Sequence, residues 1–517
     1  MSSQTLLCAC GLLLALSAFA RGQEPDAPAP ERPPANDSTK SEPSQVPSPP
    51  APAASPPAPA APAKPSARKP AEKPKPDTAA KKEKQEEHEP IDPDTAHSTL
   101  SHETLGLLPN PFEPYGIKFS LSYIGDLLAN LDGGLRRGAV YEGRLNAAVD
   151  LDFAKLAGAR GLSFHANVFE IHGPALSRDY IGNLMPVSSL EAQATVRLYE
   201  AWFEQKFSND KFSIRAGQLA ADAEFITSQY ADPFIAATYG WPAITAVNLP
   251  SGGPAPPLAA MGMRIKAVLN DNFTALLGVF DGDAAGPGAG DPQSRNRYGL
   301  NFRVNDPPFA IGEVQFAYNQ EKTSAGLPGT IKLGGWLHAG EFNDQRFAAN
   351  GLSQADPAAS PVPAQHTGDF GVYSVFEQQL ASFVGRESER GVGVFTRASL
   401  SPDDRNLINF YADGGIAATG PLASRPADKI GVAVAYARIS DTARALDRDF
   451  EVLDNVPRPI RSAETLVTAA YWAEITKGWI VIPTLQYVVR PGGGWVGASA
   501  LPVGNATVIG ARTVLKF

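Results

Sequence analysis

The sequence predicts an all-β fold, a transmembrane antiparallel β-barrel of sixteen strands preceded by a disordered Pro/Ala/Lys-rich segment, and three observations carry that prediction. From Leu105 onward apolar and polar residues alternate with period two, and few segments have helical periodicity. Short turns alternate with longer loops along the same stretch. The last thirteen residues, NATVIGARTVLKF, form one more alternating run that stops on an aromatic.

Taken in order, residues 1–20 read as a secretory signal. An apolar core runs from Leu6 to Leu16, and Ala18-Phe19-Ala20 supplies a small-residue cleavage site, although no Lys or Arg precedes the core. Lipid attachment at Cys10 is the alternative, but the apolar run continues past that cysteine. Both cysteines, Cys8 and Cys10, lie in this segment, so cleavage after Ala20 leaves neither disulfides nor thiolate metal sites.

Residues 21–104 form the second region. From Arg21 to Pro90, 19 of the 70 residues are proline. Such a chain buries too little apolar area to offset its ordering entropy and is expected to be a disordered periplasmic spacer. At about 3.1 Å per residue it could reach on the order of 200 Å. The Lys-Pro block at residues 64–84 is the candidate contact with an anionic or cell-wall partner, with a solvated spacer as the plain alternative. His88, His97 and His102 show no metal-ligand spacing.

Residues 105–517 carry the barrel. The clearest strand is YEGRLNAAVDLDF, in which Tyr141, Leu145, Ala147, Val149, Leu151 and Phe153 share one face while Glu142, Arg144, Asn146, Asp150 and Asp152 share the other. Similar runs occupy 116–127, 162–171, 197–207, 212–219, 261–269, 273–280, 297–304, 310–319, 330–342, 370–380, 392–400, 407–416, 429–439, 464–476 and 479–490. With the closing run these make seventeen, whereas a barrel with both termini on one side needs an even number. The alternation slips between Glu321 and Arg405, so the surplus run is expected there. Short turns are expected at 155–160, 208–211, 270–272 and 305–308, and long loops at 220–260 and 282–294, the former folding inward as a constriction. Short turns on one side and long loops on the other is the layout of a bacterial outer-membrane barrel.

The closing strand fits that layout. Thr507, Ile509, Ala511, Thr513, Leu515 and Phe517 suit lipid, and Arg512 and Lys516, with Gly510 on the same face, suit water. An edge strand of a soluble sandwich would read the same way in isolation. After residue 20 no apolar run is long enough for a transmembrane helix, which leaves a closed barrel as the only spanning structure. The formal net charge of -9 argues against nucleic acid as a partner.

The chain also resembles a known family, the carbohydrate-selective porins (OprB type) of Gram-negative outer membranes. The resemblance rests on YIGDLLANLDGG from Tyr123, RLYEAWFEQ from Arg197, IRAGQLAADAEF from Ile214 and GTIKLGGWLHAGEFNDQ from Gly329. It continues in SPDDRNLINFYADGG from Ser401, GVAVAYARIS from Gly431 and PTLQYVVRPGG from Pro483. It implies a sixteen-stranded pore for passive uptake of sugars, usually trimeric, and no cofactor. Three features depart from it: the Pro-rich segment, Phe376-Glu377-Gln378 where Ala-Asp-Gln is expected, and the Pro- and Ala-rich GGPAPPLAAMG from Gly252.

A sugar offers hydroxyl edges and C–H faces, so a pore favouring it needs charged hydrogen-bonding groups of both signs and aromatic surface. Alternation places Glu142, Arg144, Glu200, Trp202, Glu204, Arg215, Arg264, Arg303, Glu313, Trp336, His338 and Trp472 on the water side. For each charge the plain alternative is a solvated lumen residue. Trp202 and Trp336 stand out because a Trp on a polar face has no core to fill. Asp281, Asp283 and Asp291 miss the spacing of a calcium loop. No nucleophile elbow, Walker loop or HExxH occurs, and a barrel lipase would have only His165, His172, His338 and His366 to pair with a serine, so the protein is not read as an enzyme. The readings that compete with a monosaccharide pore are a general diffusion pore and an outer-membrane anchor tied to the cell wall through the Pro-rich arm.

Overall fold

The computed structural model describes residues 104–208, 210–321, 324–385, 390–454, 458–494 and 502–517. The stretches read as a secretory signal and a disordered spacer, with the 64–84 block, therefore lie outside the described residues. Sixteen strands close into one barrel, each antiparallel to its sequence neighbours, with the last strand paired to the first. They are β1 (Ile117–Gly134), β2 (Gly138–Asp152), β3 (Leu162–His172), β4 (Thr195–Phe207), β5 (Phe212–Leu219), β6 (Ala260–Val268), β7 (Phe273–Phe280) and β8 (Phe309–Tyr318). The second half comprises β9 (Gly329–Ala348), β10 (Pro363–Ser382), β11 (Gly391–Leu400), β12 (Ile408–Thr419), β13 (Lys429–Ile439), β14 (Ala463–Thr476), β15 (Trp479–Val489) and β16 (Gly504–Lys516).

The closing strand behaves as its pattern requires. Gly125 faces Thr513 and Asp126 faces Arg512 across the β1–β16 seam, so Ile509, Ala511 and Leu515 join the outer wall while Arg512 meets Asp126 inside, on the face that also buries Ala506, Val508 and Val514. The outer wall exposes Leu277, Leu333, Leu485 and Ile509. Polar side chains at alternate positions point into the lumen.

The surplus seventeenth run is Arg297–Val304, not a segment between Glu321 and Arg405. It alternates in sequence, but it forms no ladder, begins in a turn and belongs to a loop spanning 281–308, which also takes in the expected short turn at 305–308. The slip in alternation has a different cause. The β9–β10 hairpin contains register shifts between Pro363 and Gln365 and between Thr367 and Asp369. At the second, Gly368 takes φ +77°, as an extra residue in a bulge commonly requires. Each bulge flips which side chains face the lumen, so a strict period-two reading loses phase.

The loops divide as expected. At one rim lie the turns between β4 and β5, between β6 and β7 and between β14 and β15, the last only two residues, Lys477 and Gly478. At the other lie long loops, including 173–194, 220–259, 281–308 and 440–462, the last with a helix at Asp441–Asp454. The largest buried apolar cluster is inside the barrel. It joins wall residues such as Leu128, Val375, Phe395 and Tyr411 to Met185, Phe225, Ile226 and Ile235 of the loops 173–194 and 220–259.

Candidate functional site

The loop 220–259 is the constriction expected from its length, folded onto the inner wall and fastened there by charged side chains. At its start Glu200 accepts a hydrogen bond from the backbone N–H of Ala220 at 3.0 Å. Glu224 then enters a lattice with two wall arginines. Arg264 donates to Glu224 at 2.7 Å and to Glu204 at 2.9 Å, while Arg215 reaches the same two carboxylates at 3.2 and 3.3 Å. The Arg215 guanidinium also lies 3.7 Å above the centre of the Trp202 ring, whose other neighbour is His165 at 5.1 Å. Two cations and two anions make the lattice neutral, and all four side chains are almost fully buried.

Further along, Ile226 is held at φ 60°, a conformation that a β-branched residue adopts only under constraint. Glu313 accepts from its N–H at 2.9 Å and Arg397 donates to its carbonyl at 2.9 Å. Arg397 also donates to the Thr238 carbonyl at 3.0 Å and is paired with Asp413. Glu377 accepts from the Ser228 hydroxyl and the Gln229 N–H, both at 2.7 Å, and the Lys332 ammonium donates to the Thr227 carbonyl at 2.8 Å.

The loop 173–194 is held against the opposite wall. Glu464 accepts from the N–H groups of Leu184, Met185 and Gly492 at 2.7, 2.8 and 2.7 Å. Arg512 forks onto both oxygens of Asp126 at 2.8 Å, and Asp126 accepts from Ser188 at 2.7 Å. The two inner loops bond to each other, Ser189 N–H to the Ile235 carbonyl at 2.9 Å and Ala237 N–H to the Pro186 carbonyl at 3.0 Å. Within loop 173–194, Glu191 accepts from the Ser177 N–H and hydroxyl. Burial, with the Glu142 carboxylate nearby, pushes the Glu191 pKa up to about 8 against those hydrogen bonds.

Between these loops and the wall a cavity remains, lined by Ser189, Asp232, Tyr239, Trp472, Ile482 and Arg512. Lys429 lies beside it, its ammonium 5.0 Å from the centre of the Trp472 ring and 3.3 Å from Asp232. Both charge signs, a hydroxyl and two aromatic rings thus meet in one place.

Of the side chains the sequence singled out, Trp472 lines this cavity and the others lie elsewhere. Glu200, Glu204, Arg215, Arg264 and Glu313 fasten the constriction loop, as above. Trp336 is buried against Tyr373, with ring centres 6.3 Å apart, and His338 bonds the Gly282 carbonyl at 2.9 Å. Arg144 stacks 4.4 Å above the Phe169 ring, and Glu142 is buried on the same wall. Arg303 is on no strand; it pairs with Asp306 within the loop 281–308, because the run that carried it forms no ladder. The sequence reading passed over Arg397, Lys429 and Asp232. Alternation places Arg397 on the lumen face, between Phe395 and Ser399, and Lys429 likewise, whereas Asp232 lies in an aperiodic loop that carries no such signal.

The model of the family "Carbohydrate-selective porin, OprB family" matches residues 136–517. The chain belongs to that family. Porin B of Pseudomonas aeruginosa is 22% identical over 429 residues, covering 78% of this chain and 88% of that protein. The high-pH structure of Pseudomonas putida OprB has the same fold, with a TM-score of 0.68 at 22% identity, covering 78% of this chain and 95% of that one. The porin is therefore an outer-membrane β-barrel channel, with its short turns toward the periplasm and its long loops outside.

Two outcomes are expected of the loop fastenings. Glu224→Ala removes one of the two carboxylates of this lattice from a buried site and should destabilise the folded barrel by about 3–5 kcal/mol, as for other broken buried pairs. Urea titration in detergent micelles checks it; an unchanged midpoint would show that the lattice does not hold the loop. Glu191 has a raised pKa, so its contribution to docking of the loop 173–194 is fully present below its ordinary value of 4.5 and is lost as pH rises through about 8. Between pH 5 and pH 9 the unfolding temperature of the natural protein should therefore fall relative to that of Glu191→Gln, and parallel curves would contradict this.

Proposed function

We propose that the porin passes neutral monosaccharides such as glucose into the periplasm by passive diffusion, and that the contact made in transit centres on Trp472. The observation that supports this reading is the cavity beneath the constriction, where the Trp472 ring lies beside the Lys429–Asp232 pair and Arg512. A pyranose can stack a C–H face on the indole while its hydroxyls exchange hydrogen bonds with Asp232, Lys429 and Ser189. Because the ionised groups are already paired, a neutral solute gains from them without having to supply a counter-charge. Throughput needs weak binding, so an affinity near millimolar, about -4 kcal/mol, is expected. In single-channel recordings glucose should reduce the current of the natural protein in a saturable way. Trp472→Ala should weaken that block several-fold with the pore still conducting, and Trp336→Ala should act mainly on stability. A current that no sugar perturbs would leave a general diffusion pore.

We also propose that the porin assembles as a homotrimer through the outer face of β1–β3. There the Glu170 carboxylate and His172 imidazole, 3.0 Å apart, stand on the wall that faces lipid, on the same face as Leu145. Tyr123 bonds His172 at 3.2 Å, and its hydroxyl also meets that of Tyr141. The rings lie flat over Gly125 and Gly143; a Cβ at Gly143 would sit 2.5 Å from the His172 ring and the Tyr123 hydroxyl. A carboxylate facing hydrocarbon is costly, and a flat polar patch is better matched to another subunit than to acyl chains. Replacing Glu170 and His172 together by Leu should shift the complex from trimer to monomer on native electrophoresis. A trimer that survives this change would sink the assignment of this face.

A further inference from the structure

The run Arg297–Val304 alternates like a strand yet sits in a loop, and its surroundings give it a role. The barrel wall is lowest where it lies. β5, β6 and β7 have 8, 9 and 8 residues. At about 3.4 Å per residue and a tilt near 40°, eight residues rise only about 20 Å, short of the apolar band of about 25 Å that such barrels present. Above these strands β4 keeps an unpaired edge, because its pairing with β5 begins only at Ala201 and Gln218.

The first three residues of the run, Arg297 to Gly299, dock on that edge. The Leu198 N–H donates to the Tyr298 carbonyl at 3.0 Å. The Arg297 carbonyl accepts from the Thr195 hydroxyl and the Arg197 guanidinium, both at 3.1 Å, and the Gly299 carbonyl accepts from the Gln218 amide at 3.2 Å. Arg197 and Gln218 are themselves buried, at 1% and 3% exposure. Gly299 allows the close approach: it has φ +67°, and a Cβ there would lie 1.9 Å from the Leu198 carbonyl oxygen. Carbonyls satisfied by buried side chains are what non-helical backbone needs at membrane depth.

On the side away from the wall the run exposes Tyr298, Leu300, Phe302 and Val304, at 48%, 58%, 52% and 75%. Four such side chains in a row would be unfavourable in water. They continue the apolar outer face of Val196 and Val279, which are also exposed.

We infer that residues 297–304 complete the lipid-facing wall above the short strands, with Leu300, Phe302 and Val304 in contact with the acyl chains of the outer leaflet. The run is part of the membrane contact surface, although it lies in an extracellular loop.

The test uses the full chain with Cys8 and Cys10 replaced by Ala, so that a single introduced cysteine carries a polarity-sensitive fluorophore. Phe302→Cys is compared with Leu277→Cys on the outer wall of β7 and Ala358→Cys in an exposed loop, all in vesicles of brominated phosphatidylcholine. The label at 302 should be quenched within about twofold of that at 277, and the label at 358 should not. Adding Gly299→Ala, which breaks the docking, should change the quenching at 302 and leave that at 277 as it was. Quenching at 302 no greater than at 358 overturns the inference. So does a label at 302 shielded from both bromolipid and aqueous iodide, the result expected if a second copy of the chain covers the run.

Discussion

In hydrocarbon a backbone amide has no water to fall back on, and the rest of this structure depends on that constraint. It forces the sheet to close, with β16 paired back onto β1. Closure fixes which face of each strand meets lipid, and hence the alternation that runs through the sequence. It also accounts for the polarity of the interior. Once the apolar faces point outward, the side chains left to line the lumen are those that would be costly on the other face.

Those interior groups are used first to hold loops. The constriction segment brings its own backbone groups into the lumen, and at three points they are met by wall side chains: Ala220 by Glu200, Ile226 by Glu313 and Arg397, Gln229 by Glu377. Burying a charge is expensive unless it is paired and hydrogen-bonded. Arg215 and Arg264 with Glu204 and Glu224, Arg397 with Asp413, and Arg512 with Asp126 meet that condition. Such pairs add geometric definition to a segment that has little secondary structure of its own. A smaller set of groups faces the cavity, and there too Lys429 is balanced by Asp232. The same logic extends to the low sector of the wall, where Arg197 and Gln218 supply the hydrogen bonds that a missing strand would have made.

Much of the fold was legible because a barrel strand encodes its orientation locally. The pairs Tyr141/Glu142 and Ile509/Arg512 each declare an inside and an outside without reference to the rest of the chain. The family resemblance, carried by motifs from Tyr123 to Pro483, reinforced that reading and is matched by the family model over residues 136–517. The extra run at 297–304 was misread for the same local reason. Period two reports that one side is apolar and the other is not; it does not report whether a hydrogen-bonding neighbour exists on each side. The site was less legible. Alternation identified Arg215, Arg264, Glu200 and His338 as inward-facing, but inward-facing includes both groups that meet water and groups that meet a folded loop.

The sequence by itself determined the sidedness of the strands, because that follows from the preference of each side chain for lipid or water; its alternating runs numbered seventeen, and only the structure decided that 297–304 is not a strand. The tertiary structure alone decided which lumen residues are spent on the loops and which face the cavity. Glu224, Asp232 and Thr238 come from an aperiodic loop, and their partners Arg264, Lys429 and Tyr411 lie 40 to 197 residues away in the chain. Contacts across a barrel depend on how far a loop reaches and where it lands, a property of three-dimensional closure that no local pattern records.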